Sequence, residues 1–415
     1  MLIPIAYLAS YLLSVLGNSI AGVALPLIVL QVTGSVLGAG TVAAATALPA
    51  VATGLLMGVV IDRINRRTSS VVTDLISAAA VAALPVIDLV TGLTLGWFVL
   101  FGVVGSLGDV PGMTAREALL PAIVRHGRLG AERLIGIRES LGAIALVLGP
   151  AAAGTLMVLF DGSTVLWITA ATSLAAALLT LLIPRRVGAV AARDGAAAPS
   201  VAGGWSQLRE GWQVLFRSRL LLVTTAMSVV SVIVLAALQG LILPVYFTLE
   251  QQPGMLGFVL TSLAVGMLLG SVVYAGAGTR GRRRGWFLAG LIGSAIGFAI
   301  VGSLGSVWIV FAGAFVVGLS SGLFGSLIGV LMIERIPDRM RGRIMGTQNS
   351  IMTAAPALGI VVAAVITEYA GVRWAAAALA ALWLVALVQG LTARSLRTLE
   401  AGEGPEGEAT AVGDA

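Results

Sequence analysis

The chain has 415 residues, of which 58% are hydrophobic and 11% charged, whereas a soluble domain carries about 25% charged residues. So few charges cannot clothe a soluble protein of this length, which excludes a soluble enzyme and leaves a polytopic membrane protein as the expectation. The 25 basic residues are all arginine; there is no cysteine, and His126 is the one histidine. Disulfides, thiolate catalysis and cysteine- or histidine-rich metal sites are thereby excluded, and neither metal nor cofactor is expected.

Apolar runs long enough to cross a bilayer, about 20 residues, fall at 3–31, 37–60, 68–90, 94–117, 136–160, 163–183, 219–247, 255–278, 286–303, 306–333, 346–368 and 374–393. These twelve runs are long and continuous, not alternating ten-residue stretches. They predict an all-α membrane protein and exclude a membrane β-barrel. The links at 33–36, 161–162 and 371–373 are short enough for helix–helix turns. The first run begins with no charged leading segment and no small-residue cleavage site, so a cleaved signal peptide is not expected.

Every arginine except Arg373 lies in the links after spans 2, 4, 6, 8 and 10 with their flanks, or in the tail at Arg394 and Arg397. The opposite links carry Asp88, Asp161, Glu250 and Glu368. Basic loops stay in the cytoplasm, so both termini are expected there, with the chain in the plasma (inner) membrane. The net charge of +6 then belongs to topology, and no nucleic-acid partner is expected.

The spans divide into bundles of six at 1–183 and 219–393. Residues 184–218 between them are a cytoplasmic linker, Ala/Gly-rich at first. Its later part sets Trp205, Leu208, Trp212, Leu215 and Phe216 at helical spacing among Arg209, Arg217 and Arg219. That is the pattern of an amphipathic helix lying on the membrane surface. The acidic, glycine-rich tail at 394–415 is expected to be disordered. The two halves echo one another: Pro121 and Arg125 after span 4 match Pro337 and Arg341 after span 10, and Gly149-Pro150 in span 5 matches Ala355-Pro356 in span 11.

The link between spans 2 and 3 reads Gly58-Val-Val-Ile-Asp62-Arg63-Ile-Asn65-Arg66-Arg67. It resembles motif A of the major facilitator superfamily, G-x-x-x-D-R-x-G-R-R, with Asn65 at the usual glycine, and Asn also tolerates a left-handed turn. The resemblance covers the whole chain and implies the major facilitator fold, twelve transmembrane helices in two six-helix bundles. It further implies that Asp62 sits at the cytoplasmic N-terminus of span 11, where a carboxylate suits the helix dipole. Arg63, Arg66 and Arg67 would pair with nearby acids as a cytoplasmic gate, and Gly58 would allow close packing. The plain alternative is that these arginines only mark topology.

Span 5 carries Gly142, Gly149-Pro150 and Gly154, a partial likeness to motif C of the exporter branch. Gly and Pro thin and bend a helix there, permitting close contact with a partner helix. The run Gly108-Asp109 through Arg116-Glu117 to Pro121, with Arg138-Glu139 before span 5, looks like the branch that holds Tap-like multidrug pumps and, more distantly, the enterobactin exporter. Asp109 and Arg116 stand at i and i+7 on one helical face, about two turns apart. A carboxylate at that depth is costly and functional by default, so Asp109, with Arg116 and Glu117 beside it, is the candidate for proton coupling. The alternative is a structural carboxylate satisfied by Arg116, Arg138 or a helix end. Glu117, Arg138 and Glu139 lie near the cytoplasmic mouth and join the gate network, as does Asp74. Span 1 departs from many drug exporters, with Asn18 where they carry an acid, so span 1 holds no proton.

The remaining intramembrane polar residues, Tyr11, Asn18, Gln239, Gln348 and Asn349, are candidates to line a substrate cavity, with Met227, Met267, Met352 and Phe247 either as adaptable apolar wall or simply packing or facing lipid. Gln348 and Asn349 are also near enough to the span 11 end to meet motif A. There is no phosphate loop and no lysine, which excludes ATP-driven transport by this chain. The resemblance implies a monomeric secondary transporter, not an enzyme. It would export small amphipathic compounds and drugs by alternating access, with protons and membrane lipid as its other partners. Export of one endogenous metabolite such as a siderophore, a lipid flippase, and a non-transporting sensor or scaffold are the alternatives.

Overall fold

A computed structural model describes residues 2–61, 64–126, 131–189, 219–277, 283–335 and 338–392. Every extended element among them is helical. The order is α1 (Leu2–Thr33), α2 (Val36–Ile61), α3 (Arg66–Thr91), α4 (Leu95–His126), α5 (Ala131–Leu159), α6 (Gly162–Leu181) and a 3₁₀ turn (Arg185–Gly188). After the linker come α7 (Arg219–Ala237), a π-helical turn (Leu238–Ile242) and α8 (Leu243–Leu249), continuous as one passage. Then follow α9 (Met255–Ala277), α10 (Arg283–Gly302), α11 (Val307–Arg335), α12 (Asp338–Ala370) and α13 (Val372–Thr392).

Counting α7 and α8 together, these are the twelve expected passages. Ten are long and apolar enough throughout to cross a membrane, and α2 and α12 contribute shorter apolar stretches at Val36–Ala47 and Ala354–Ala370. Hydrocarbon offers the backbone no hydrogen-bond partners, so each crossing must satisfy its own amides and carbonyls as a helix. Two helices overrun their expected ends. α4 continues to His126, and α12 starts at Asp338, so parts of two expected links are helix. The linker and tail, including the amphipathic pattern at 205–216, fall outside the described residues.

Turn chemistry is local. Gly34 and Gly371 take φ of 62° and 94°, the left-handed backbone that lets a chain leave one helix and enter the next with little steric cost. Asp161 caps α6, its carboxylate accepting from the Thr164 amide at 3.1 Å and hydroxyl at 2.7 Å. Those hydrogen bonds hold the exposed Asp161 carboxyl below its ordinary range.

Two compact units are present. The first comprises α1–α6 together with Ala236–Thr261 and Pro356–Ala375, and the second comprises the rest of the later helices. In the first, α1 packs on α5 and α6, α3 on α4 and α6, and α2 on α4. Ala6, Tyr7, Leu119, Ile123, Leu134, Ile183 and Val187 close the core at one end. In the second, α9 and α11 meet glycine to backbone. A Cβ at Gly266 or Gly270 would collide with the backbone around Phe315 and Leu319, and one at Gly318 or Gly322 with that around Leu263 and Met267. This reciprocal small-xxx-small seam brings the two backbones together. Trp383 of α13 is buried against α10, its indole N–H donating to the Leu291 carbonyl at 3.2 Å.

Candidate functional site

The polar interior of the first unit is built on the α3–α4 seam. Gly108 and Gly112 of α4 lie against Thr73 and Ser77 of α3, and a Cβ at Gly108 would come within 2.7 Å of the Thr73 carbonyl oxygen. The two helices therefore run close enough for short side chains to reach across. Ser77 donates to the Asp109 carboxylate at 2.7 Å. Asp74 forms an ion pair with Arg116, their side chains 5% and 3% exposed. Ser14 of α1 approaches the same Asp74 carboxylate at 3.5 Å, and the Tyr7 hydroxyl donates to the Arg116 carbonyl at 3.2 Å.

This arrangement corrects two expectations. Shared face and helical spacing pointed Arg116 at Asp109; instead the guanidinium crosses to α3 and takes Asp74. Asp74, expected in the gate network near the cytoplasmic mouth, is one half of this buried pair. Such a pair adds little net stability, yet removing one partner strands a charge at about 3–5 kcal/mol. Sequence reasoning also missed Ser14 and Ser77. Ser77 stands at i+3 from Asp74, one turn along the same helix face, and that spacing was the available signal.

Glu117 separates from Asp109. It accepts from Arg138 at 3.1 Å, and Glu139 accepts from the same guanidinium at 2.9 Å. Glu117 and Glu139 are 61% and 66% exposed against 12% for Arg138, so each link contributes no more than about 1 kcal/mol. The Arg138 guanidinium also lies 4.9 Å from the Tyr11 ring centroid, a cation–π contact. Gly142 leaves the space that the Tyr11 hydroxyl fills. Tyr11, expected to face substrate, is thus buried under Arg138.

Of the motif A residues, Asp62 and Arg63 lie outside the described residues, as do the surroundings of Gly58. The others bond to neighbouring elements of the first unit. Asn65 has φ −58°, so it is not a left-handed turn residue but the N-cap of α3. Its side-chain oxygen accepts from the Thr68 amide at 3.3 Å, and its amide donates to the Arg185 carbonyl at 2.8 Å. Arg66 donates to the Ala118 carbonyl at 3.1 Å and Arg67 to the Leu181 carbonyl at 2.7 Å, the latter serving the open end of α6. Gly188 completes the joint, since a Cβ there would meet Asn65 Oδ1 at 2.5 Å. Asn65→Ala is expected to cost about 1 kcal/mol through the lost cap, measurable as a lower unfolding midpoint in detergent.

The motif C-like residues face two helices. Gly149 makes room for Ser19 of α1, and Gly154 lies against the backbone of Gly254 and Gly257, with a Cβ at Gly257 only 2.6 Å from the Gly154 Cα. Thr261 donates across this seam to the Val147 carbonyl at 3.0 Å. Asn18 and Gln239 are half-buried, and neither amide is hydrogen-bonded among the described residues. Gln239 lies within the π turn, a helix irregularity frequent at functional positions. Met227 and Phe247 are 2% and 0% exposed, so they are core packing, not cavity wall. Gln348 and Asn349 fall on α12, with their side chains outside the described residues.

The description "Major Facilitator Superfamily" fits residues 7–252 and 227–412. The chain belongs to this family. Membership makes it an integral membrane transporter acting on small molecules. The "Multidrug efflux pump Tap" of Mycolicibacterium fortuitum is 29% identical over 360 residues, 86% of this chain and 87% of that protein. "Macrolide efflux protein A" of Streptococcus pyogenes is 25% identical over 332 residues, 79% of this chain and 80% of that one. The crystal structure of nucleoside transporter NupG superposes with TM-score 0.74 at 13% identity, covering 97% of this chain and all of that one. At that identity the likeness is one of fold.

Proposed function

We propose that this transporter exports small amphipathic molecules, drugs among them, by proton antiport and alternating access. Similarity to Tap pumps along nearly the whole chain is the observation that carries the substrate class. The arginine distribution supports cytoplasmic termini in the plasma membrane. In that orientation the Gly154–Gly257 seam is at the outer end and the Asn65–Arg185 joint at the inner end. The seam between α5 and α9 then closes the outer side, and the half-buried amides of Asn18 and Gln239 offer hydrogen bonds to a molecule entering from the cytoplasm. Asp62 with the neighbouring arginines forms the inner gate of the opposite state, and the first and second six-helix groups move as the two halves of the cycle.

Asp109 is the proton site. It is a carboxylate in the interior of a membrane bundle, held by a hydroxyl that can either donate to a carboxylate or accept from a carboxylic acid. One proton entering down 100 mV releases about 2.3 kcal/mol, enough to sustain roughly a 50-fold outward gradient of a neutral compound at about 1.4 kcal/mol per tenfold. The test is accumulation of a panel of amphipathic dyes and antibiotics in a pump-deficient host. Cells making the chain are expected to hold less of at least one compound until a protonophore is added. Equal accumulation across the panel, with the protein present in the membrane, overturns the drug-export reading.

A further inference from the structure

Asp74 and Arg116 are buried and Asp109 half-buried between α3 and α4, so two carboxyl groups share one guanidinium. The surrounding elements supply few others. α2 and α6 carry no ionisable side chain at all. α1 brings Tyr7 and Tyr11, and Arg138 of α5 is occupied with the Tyr11 ring, Glu117 and Glu139. Arg66 and Arg67 at the start of α3 reach the carbonyls of Ala118 and Leu181. The 3₁₀ turn adds Arg185 and Arg186 beyond the end of α6.

Arg116 could serve either acid. Long side chains on a helix lean toward its N-terminus, which on α4 is the direction of Asp109, two turns away. Gly112 lies along that path, 3.7 Å separating the position of a Cβ there from an Arg116 terminal nitrogen. The Arg116 Nε is buried and has no hydrogen-bond partner among the described residues, so the guanidinium is not fully committed. Asp74 is what draws it onto α3, and Asp109 is left with Ser77.

We propose that Asp74 is a positioning residue for proton coupling: by holding the Arg116 guanidinium it keeps that charge away from Asp109, which then gains and loses its proton alone. This rests on the proton-antiport reading and deepens it. In the loading step an O–H bond of hydronium breaks, one forms on an Asp109 carboxylate oxygen, and water leaves; unloading is the reverse. With Asp74 neutral, Arg116 pairs with Asp109, and the pair holds no exchangeable proton.

The experiment uses everted vesicles carrying the full chain, with ethidium as the probe compound and loss of an imposed pH gradient as the readout across a pH series. The wild-type chain is expected to dissipate the gradient on addition of ethidium or of another compound that cells making the chain export; no response to any exported compound overturns proton antiport itself and this inference with it. Asp74→Asn is expected to lose the response while that compound still binds, and Asp74→Glu to keep it. The Asp74→Asn/Arg116→Gln double variant removes one charge of each sign and leaves Asp109 alone again, so it is expected to regain a pH-dependent response. A responding wild type with Asp74→Asn unchanged in its pH profile overturns the inference alone. If Asp74→Asn does not reach the membrane, the double variant decides: recovery supports the positioning role, and a folded, unresponsive double variant overturns it.

Discussion

Asp109→Asn is expected to abolish uphill export while leaving a folded protein that binds its substrates. Asparagine is close in shape to aspartate and keeps a hydrogen bond with Ser77, so the structural cost is about 1 kcal/mol. It cannot take up a proton, so the gradient of roughly 50-fold that one proton at 100 mV could sustain collapses to equality across the membrane. Asp74 and Arg116 remain paired in this variant, which separates the loss of a proton site from the loss of a buried ion pair. Binding by dye fluorescence and transport by accumulation, on the same preparation, check the two halves of the expectation. A variant that fails to fold would instead mark Asp109 as a structural carboxylate.

Gly257→Val is expected to hold the α5–α9 seam open. A Cβ at Gly257 would collide with the Pro150 carbonyl oxygen and with the Cα and amide nitrogen of Gly154, all backbone that no side-chain rotation can move aside. A branched side chain therefore forces the helices apart or costs about 1–3 kcal/mol of overpacking wherever the seam closes. States without this contact are not penalised, so the population shifts away from the closed end. The chain contains no cysteine, so a single Asn18→Cys substitution gives a clean reporter. An impermeant thiol reagent applied from outside is expected to label Asn18→Cys poorly and Asn18→Cys/Gly257→Val rapidly, with export lost in the latter. Equal labelling of the two would remove the seam from any gating role.

The helices were legible because hydrocarbon permits little else, and length and apolarity alone delimit the spans to within a few residues at most ends. The depth of Asp109 in span 4 was equally plain. Its partner was not. Periodicity describes one helix at a time, and the Arg116 guanidinium leaves its own helix face for Asp74 on α3, a choice decided by the close approach at Gly108 and Gly112. Tyr11 misled for a related reason. A tyrosine inside a span reads as cavity lining until the position of Arg138 is known. Asn65 stands where the family pattern has glycine, which pointed to an unusual backbone, whereas its side chain does the work of a helix cap. The α9–α11 seam was hidden among 53 glycines, since which of them face a neighbouring backbone depends on helix register and rotation.

Proton-coupled export is tested most directly with the purified chain in proteoliposomes that have an imposed pH gradient and no other transporter. A compound exported in cells is expected to move against its own gradient, driven by protons moving the opposite way, and Asp109→Asn is expected to abolish that movement. Substrate movement that ignores the pH gradient, or that persists uphill in Asp109→Asn, would contradict proton-coupled export.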